Sequence, residues 1–139
     1  MEAACQCGAV RFKTPTEKPL ALYICHCSDC QRQTSSAFGM SAIYPRFQLP
    51  DAELLSCYRR PTSNGQTLYW PLHTQPKNVV AVKGGCIEGL DWSKAIHIWT
   101  KSAMVPIPED SKSYSEYSDQ TTDYGSSSDG HDTPGELAG

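Results

Sequence analysis

The sequence predicts a small, mainly β protein built around a cluster of metal-binding cysteines. Two observations predict the fold class: short apolar segments recur along the chain, and turn-forming residues separate them. A third observation points to metal, because five of the seven cysteines fall within the first thirty residues. With 139 residues, the chain is long enough for one domain with one core. We therefore expect a single antiparallel β domain.

Alternating apolar and polar side chains predict a first strand over residues 9–13 and a last strand over residues 95–100. Apolar or β-branched runs predict four more strands between them, at residues 20–24, 40–44, 54–58 and 79–82. Proline, asparagine and glycine follow these runs and supply the backbone angles that turns require. Short helical turns are favoured only at residues 28–34 and 90–94.

The last part of the chain has a different composition. Residues 1–108 contain 11 Lys or Arg and 7 Asp or Glu, whereas residues 109–139 contain one Lys and 8 acidic residues. The apolar content after residue 108 is too low to offset the roughly 1–2 kcal/mol per residue that ordering a backbone costs. We expect a folded domain over residues 1–108 and a disordered acidic tail over residues 109–139.

Composition also bears on location and partners. The sequence has no run of eighteen apolar residues, and its first residues lack the basic and apolar regions of a secretory signal peptide. The composition shows little bias toward nucleic acid. We expect an intracellular, cytoplasmic protein without a membrane or nucleic-acid partner, and the sequence does not predict its oligomeric state.

Cys25, Cys27 and Cys30 form a CxCxxC triplet. Zinc is held tetrahedrally by thiolates at about 2.3 Å, and cysteines this close in sequence reach one ion where the backbone turns tightly. In a reducing compartment such clusters bind metal or carry out thiol chemistry, and we favour Zn²⁺ over buried or redox-active thiols. Three ligands leave a fourth coordination position free, as in catalytic zinc sites. We expect an open site suited to a soft thiol or a carbonyl group.

The neighbours of the triplet have weaker signals. His26 lies between two of the cysteines, and since adjacent side chains of an extended chain point in different directions, we expect it beside the site and not as a ligand. The next polar residues either orient a substrate carboxylate or belong to the surface: Asp29, Gln31 and Arg32. The residues that follow either line a pocket or pack a loop: Ser35, Ser36 and Phe38. We predict Trp99 to be core and Cys57 to be a buried thiol.

Three stretches of the chain carry a family resemblance. CQCGAVRF, YICHCSDCQRQTSSAFG and VKGGCIEGLDWSKAIHIWTKS, the last followed by VPIPED, resemble the glutathione-dependent formaldehyde-activating enzyme and centromere protein V family in its fungal style. The resemblance covers residues 3–108 and implies a small zinc-binding, Mss4-like antiparallel β fold. It implies that Cys25, Cys27 and Cys30 are the catalytic zinc ligands, and that Cys5 and Cys7 are half of a structural zinc site.

The resemblance also implies an activity. The founding reaction of the family adds glutathione to formaldehyde to give S-hydroxymethylglutathione, so a carbon-sulfur lyase acting on a small-molecule thiol and an aldehyde is expected. Two alternatives stay open: a non-catalytic zinc-binding interaction module, and an inactive, truncated family member.

The chain departs from the family pattern in one respect. Family members carry a second CxxC between the fourth strand and the VKGG strand, and residues 65–76 of this chain contain no cysteine. Cys5 and Cys7 are then two ligands short, with His73, Cys57 or Cys86 as substitutes. A faulty gene model, a degenerate member and a differently closed site are the three explanations, in that order of preference.

Overall fold

A computed structural model describes residues 1–49, 52–56, 58–61, 67–70 and 78–118. Within these residues the regular structure is mainly β, with one α-helix and several 3₁₀ turns. The elements are β1 (Glu2–Ala4), β2 (Arg11–Lys13), β3 (Ala21–Cys25), α1 (Ser28–Thr34), β4 (Gly39–Pro45), β5 (Tyr58–Pro61), β6 (Thr67–Trp70), β7 (Val79–Lys83) and β8 (Ile96–Ile98). The mainly β prediction is confirmed, in agreement with a small Mss4-like fold.

The central sheet has four strands in the order β7-β4-β3-β8, and two further pairs are β1-β2 and β5-β6. Every pair is antiparallel except β3 with β8, which run parallel. The antiparallel prediction therefore holds for most of the described strands, with β8 as the exception. A parallel neighbour requires a long crossover, and here the chain between β3 and β8 supplies it.

Successive side chains of β4 and β7 point to opposite faces of the central sheet, so each face has its own part of the hydrophobic core. One face buries Ala3, Ile87 and four side chains of these strands, which are Ala42, Tyr44, Val80 and Val82. The β1-β2 hairpin packs against this face. The opposite face holds a second buried cluster: Tyr23, Ile43, Ile96 and Ile98. Both faces are covered, which explains why residues 79–82 of β7 are a continuous apolar run.

The segment 109–118 corrects the predicted domain boundary. Its backbone pairs with β8 and with the residue after it: His97 N donates to Lys112 O at 2.9 Å, Tyr114 N donates to His97 O at 2.9 Å, and Trp99 N donates to Glu116 O at 3.0 Å. Ser118 is buried, and its Oγ donates to the Tyr23 hydroxyl at 3.3 Å. The composition of this segment hid these contacts, because most of them are made by its backbone. The folded unit extends at least to residue 118, and residues 119–139 lie outside the described part.

Other elements differ from the predictions by smaller amounts. The strand predicted over residues 54–58 is not seen in its described residues before Tyr58, since Leu54 ends the 3₁₀ turn Ala52–Leu54 and β5 begins at Tyr58. The sequence analysis missed β1 and β6. The predicted helical turn at 28–34 is confirmed as α1, and the turn at 90–94 is the 3₁₀ turn Trp92–Lys94. Trp99 is half-buried and packs against the second core cluster.

No helix in the described part of the chain has both the length and the apolarity to cross a membrane.

Two truncations test whether residues 109–118 are part of the fold. We expect the chain ending at Pro108 to be less stable than the chain ending at Ser118 by about 2 kcal/mol or more, since each lost hydrogen bond contributes roughly 0.5–1.5 kcal/mol. Urea unfolding followed by tryptophan fluorescence measures the difference. Equal unfolding midpoints for the two truncations would contradict the extended boundary.

Candidate metal centre

The end of β3 and the start of α1 bring the triplet together. Cys25 is the last residue of β3, Cys27 is the N-cap of α1, and Cys30 lies in the first turn of that helix. Cys30 N donates to Cys27 Sγ at 3.4 Å, so the sulfur takes the capping role that a serine or aspartate oxygen usually has. The strand-to-helix turn thus directs three side chains toward one point.

The three sulfur atoms all lie within 4.8 Å of one another, and the three residues are partly buried. Tetrahedral zinc with bonds of about 2.3 Å would place its sulfur ligands roughly 3.8 Å apart, so the arrangement fits a zinc ion. Among the residues that the structure describes, this is the one group of three or more metal-ligating side chains. His26 is not part of the group, in agreement with the prediction that it is not a ligand.

Hydrogen bonding within the triplet separates the acidities of the three thiols. Hydrogen bonds from Cys25 and then Cys30 lower the pKa of Cys27 to about 2. The hydrogen bond to Cys27, followed by that to Cys30 and by burial, raises the pKa of Cys25 far above its usual range. For Cys30 the hydrogen bond with Cys25 lowers the pKa, but the bond with Cys27, burial and the charge of Cys27 outweigh it and raise the pKa to about 11. The opposite shifts favour the thiolate form of Cys27 and the protonated forms of Cys25 and Cys30.

Gly39 of β4 packs against the cluster. It pairs with Cys25 across β3 and β4 and is buried. A Cβ at this position would lie 3.2 Å from Cys30 Cβ and 3.3 Å from Cys30 Sγ, closer than ordinary contact. The absence of a side chain at residue 39 therefore allows Cys30 to approach β4.

An open cleft of about 500 Å³ lies between helix α1, which carries Cys30, and the end of β7; Cys25, Cys27 and Cys30 are not among its lining residues. Helix α1 and the turn after it form one wall, which consists of Gln33, Thr34, Ser36 and Phe38. The sheet and the 3₁₀ turn that follows β7 form the other wall, which consists of Met40, Lys83, Gly84 and Gly85. Thr34 Oγ1 donates to Cys30 O at 2.8 Å, which connects the cleft wall to the cluster.

For Ser35, Ser36 and Phe38 the sequence leaves pocket lining and loop packing as equal alternatives. Ser36 and Phe38 line the cleft. Ser35 ends α1 in the left-handed region with φ 52° and is exposed. Gln31 has a structural role, because its Nε2 donates to His26 O and to Ser102 O, each at 2.8 Å. Arg32 is exposed, and the backbone N–H of Asp29 contributes to lowering the pKa of Cys27.

His26 points into the interior on the side of β8. It is 1% exposed, and its Nε2 lies 3.0 Å from Nδ1 of His97, a residue that the sequence analysis did not single out. Burial lowers the pKa of both imidazoles, and the neighbouring charge of His97 lowers that of His26 further, so a neutral pair is favoured. Nδ1 of His26 has no hydrogen-bond partner among the described residues. The two histidines pack the turn between β3 and α1 onto β8, and the three cysteines are the side chains grouped as possible metal ligands.

Cys5 and Cys7 lie in the turn between β1 and β2, where Gly8 has φ 76°. Their Sγ atoms are 3.6 Å apart, a separation that suits two ligands of one zinc ion, and both residues are exposed. A backbone hydrogen bond from Ala9, followed by the Cys5 thiol, lowers the pKa of Cys7. Cys86 is partly buried and close enough that the charge of Cys5 contributes, after burial, to raising its pKa. The other two candidate substitutes, Cys57 and His73, lie outside the described residues.

The acidities of the triplet predict how many protons zinc displaces. Zinc binds thiolates, and Cys25 and Cys30 hold their protons at neutral pH because their pKa values are raised, whereas Cys27 is already ionised. We expect about two protons to be released for each zinc ion bound at the triplet near pH 7, so that affinity rises with pH. Calorimetric titration in buffers of different ionisation enthalpy, on a protein with Cys5 and Cys7 changed to Ser, measures this number. Release of no protons would contradict the assignment.

Two glycine substitutions test the packing of the cluster against β4. Gly39→Ala should displace Cys30 and lower zinc affinity by roughly tenfold, since neighbours that orient metal ligands typically have effects of this size. Gly85→Ala is the matched control, because a Cβ there meets no atom within 4 Å. Competition with a chromophoric chelator gives both affinities. The packing argument fails if the two variants bind zinc equally well.

Comparison with known proteins bears on the N-terminal half of the chain. The family model described as glutathione-dependent formaldehyde-activating enzyme matches residues 1–68, which is just under half of the sequence and includes both cysteine motifs. A search of curated proteins found no match. Residues 1–68 are therefore similar to the glutathione-dependent formaldehyde-activating enzyme family.

Proposed function

We propose that this protein is a zinc-dependent enzyme of the carbon-sulfur lyase type, which handles the adduct of a small aldehyde with a thiol such as glutathione. The observation that carries the proposal is the group of three cysteine sulfurs within 4.8 Å, where helix α1, which carries Cys30, also forms one wall of an open cleft. The family match over residues 1–68 supports the same reaction class.

The donor set of the triplet suits zinc. Three soft sulfur ligands are provided, and the residues are half-buried, so one side of the site remains open to a fourth ligand. A zinc ion held by Cys25, Cys27 and Cys30 would supply a coordination position at which a substrate sulfur is kept as a thiolate. The chain itself contributes orientation, through the cap of α1 and the approach of Gly39, and a cleft that seats the rest of the thiol.

The proposed reaction needs no oxidant or reductant. The sulfur electron pair forms the carbon-sulfur bond, the π bond of the aldehyde breaks, and the proton that leaves the thiol ends on the carbonyl oxygen. Solvent can carry this proton because the cleft is open. The reverse sequence of steps releases the thiol and the aldehyde.

A second candidate is a non-catalytic zinc module or an inactive family member. The observation that favours it is the exposed Cys5 and Cys7 pair, for which the sequence has no second CxxC. Structural zinc contributes on the order of 10 kcal/mol to folding when fully ligated, so an incomplete site would weaken the fold. Thermal melting with and without a chelator identifies an inactive remnant, which should show no cooperative transition in either condition.

Replacing Cys25 by Ser tests the proposed enzyme. We expect the loss of zinc at the triplet and of any catalysed exchange between formaldehyde and glutathione, because two remaining sulfurs hold zinc weakly. Zinc content by atomic absorption and the exchange rate by carbon-13 magnetisation transfer are the two measurements.

The matched control is Cys86→Ser, which removes a partly buried thiol outside the triplet. This variant should retain zinc at the triplet. Full zinc content together with full turnover in Cys25→Ser would refute the proposed function.

A further inference from the structure

Lys83 occupies a position that connects the cysteine cluster to the cleft. It is the last residue of β7, where it pairs with Ser41 of β4. Its side chain lines the cleft, and Nζ donates to Gln33 Oε1 of α1 at 3.1 Å. The hydrogen bond therefore joins the two walls of the cleft at one point.

The charge of Lys83 acts on the cysteine sulfurs. Its positive charge is among the factors that lower the pKa of Cys30. In return, the charges of Cys30, Cys25 and Cys27 raise the pKa of Lys83, although burial has the larger effect and lowers it. The charge of Lys83 and the charges of the three cysteines therefore influence one another.

The ionic side chain that lines the cleft is positively charged. Among the described residues that line it, Lys83 is the one with an ionic side chain, and the others are polar, apolar or glycine. Three thiolates around a divalent cation have a net charge near -1, which repels a second anion. A cation in the cleft wall offsets this repulsion and provides a point of attraction for an anionic substrate group.

We propose that Lys83 and Gln33 bind a carboxylate of the thiol substrate, so that the site selects carboxylate-bearing thiols over neutral ones. This inference rests on the proposed function, because it concerns the thiol that enters the same site. An ammonium group has three N–H donors, and the amide nitrogen of Gln33 adds donors from the opposite wall of the cleft. Charge-assisted hydrogen bonds of this kind are stronger than neutral ones, so the pair determines specificity.

A matched pair of small thiols tests the inference by binding alone. The probes are 3-mercaptopropionate and its uncharged amide, titrated calorimetrically into the zinc-loaded protein. We expect the wild-type protein to bind the carboxylate about tenfold more tightly, a difference of about 1.4 kcal/mol. Lys83→Met should bind the two thiols equally, with its affinity for the amide unchanged, and Lys83→Arg should recover the preference.

Lys13→Met is the control variant. Lys13 has a side chain 83% exposed on β2 and an ion pair of 3.7 Å with Glu2, so its loss removes the same charge away from the cleft. It should retain the preference for the carboxylate. Zinc content and thermal melting of each variant show whether it is folded and loaded.

The outcomes separate this inference from the function on which it rests. If the wild-type protein binds both thiols equally, the inference is wrong and the proposed thiol site stands. If it binds neither, both are wrong. If Lys83→Met loses affinity for both thiols to the same degree, Lys83 has a structural role and the inference is also wrong. Wild-type titrations at rising salt provide a test that needs no variant, because the preference should shrink as charges are screened.

Discussion

The pairing of β3 with β4 is the interaction on which the rest of the site depends. It places Gly39 opposite Cys25, and the missing side chain of Gly39 lets Cys30 approach the sheet. The same strand β4 pairs with β7 on its other edge, which brings Lys83 to the cleft. A one-residue slip of this register would reverse which side chains face the core, so the buried Ala42 and Tyr44 keep the site in place.

Much of the fold and the centre of the site can be predicted from the sequence, because both depend on local patterns. Apolar runs located β3, β4 and β7, and α1 begins and ends where the pattern of residues 28–34 indicated. The CxCxxC spacing predicted the cluster because a single turn between strand and helix is enough to gather three sulfurs. His26 is predicted to be a neighbour and not a ligand because adjacent side chains of an extended chain point in different directions, and it is not part of the group.

The remaining features depend on contacts between distant parts of the chain. Residues 109–118 have the composition of a tail, yet their backbone groups pair beside β8, and composition carries no information on such pairing. Lys83 and His97 reach the site from β7 and β8, more than fifty residues after the triplet, and the sequence shows them only as polar residues in apolar strands. The ligands that would complete a site at Cys5 and Cys7 also cannot be assigned from spacing.

X-ray absorption at the zinc edge tests the central claim most directly. The sample is the zinc-loaded protein with Cys5 and Cys7 changed to Ser, which leaves the triplet as the cluster that the structure brings together. The account predicts one zinc ion per chain with three sulfur ligands at about 2.3 Å and one lighter donor. Zinc that does not bind, or that binds through nitrogen and oxygen alone, would contradict an open thiolate zinc site at Cys25, Cys27 and Cys30.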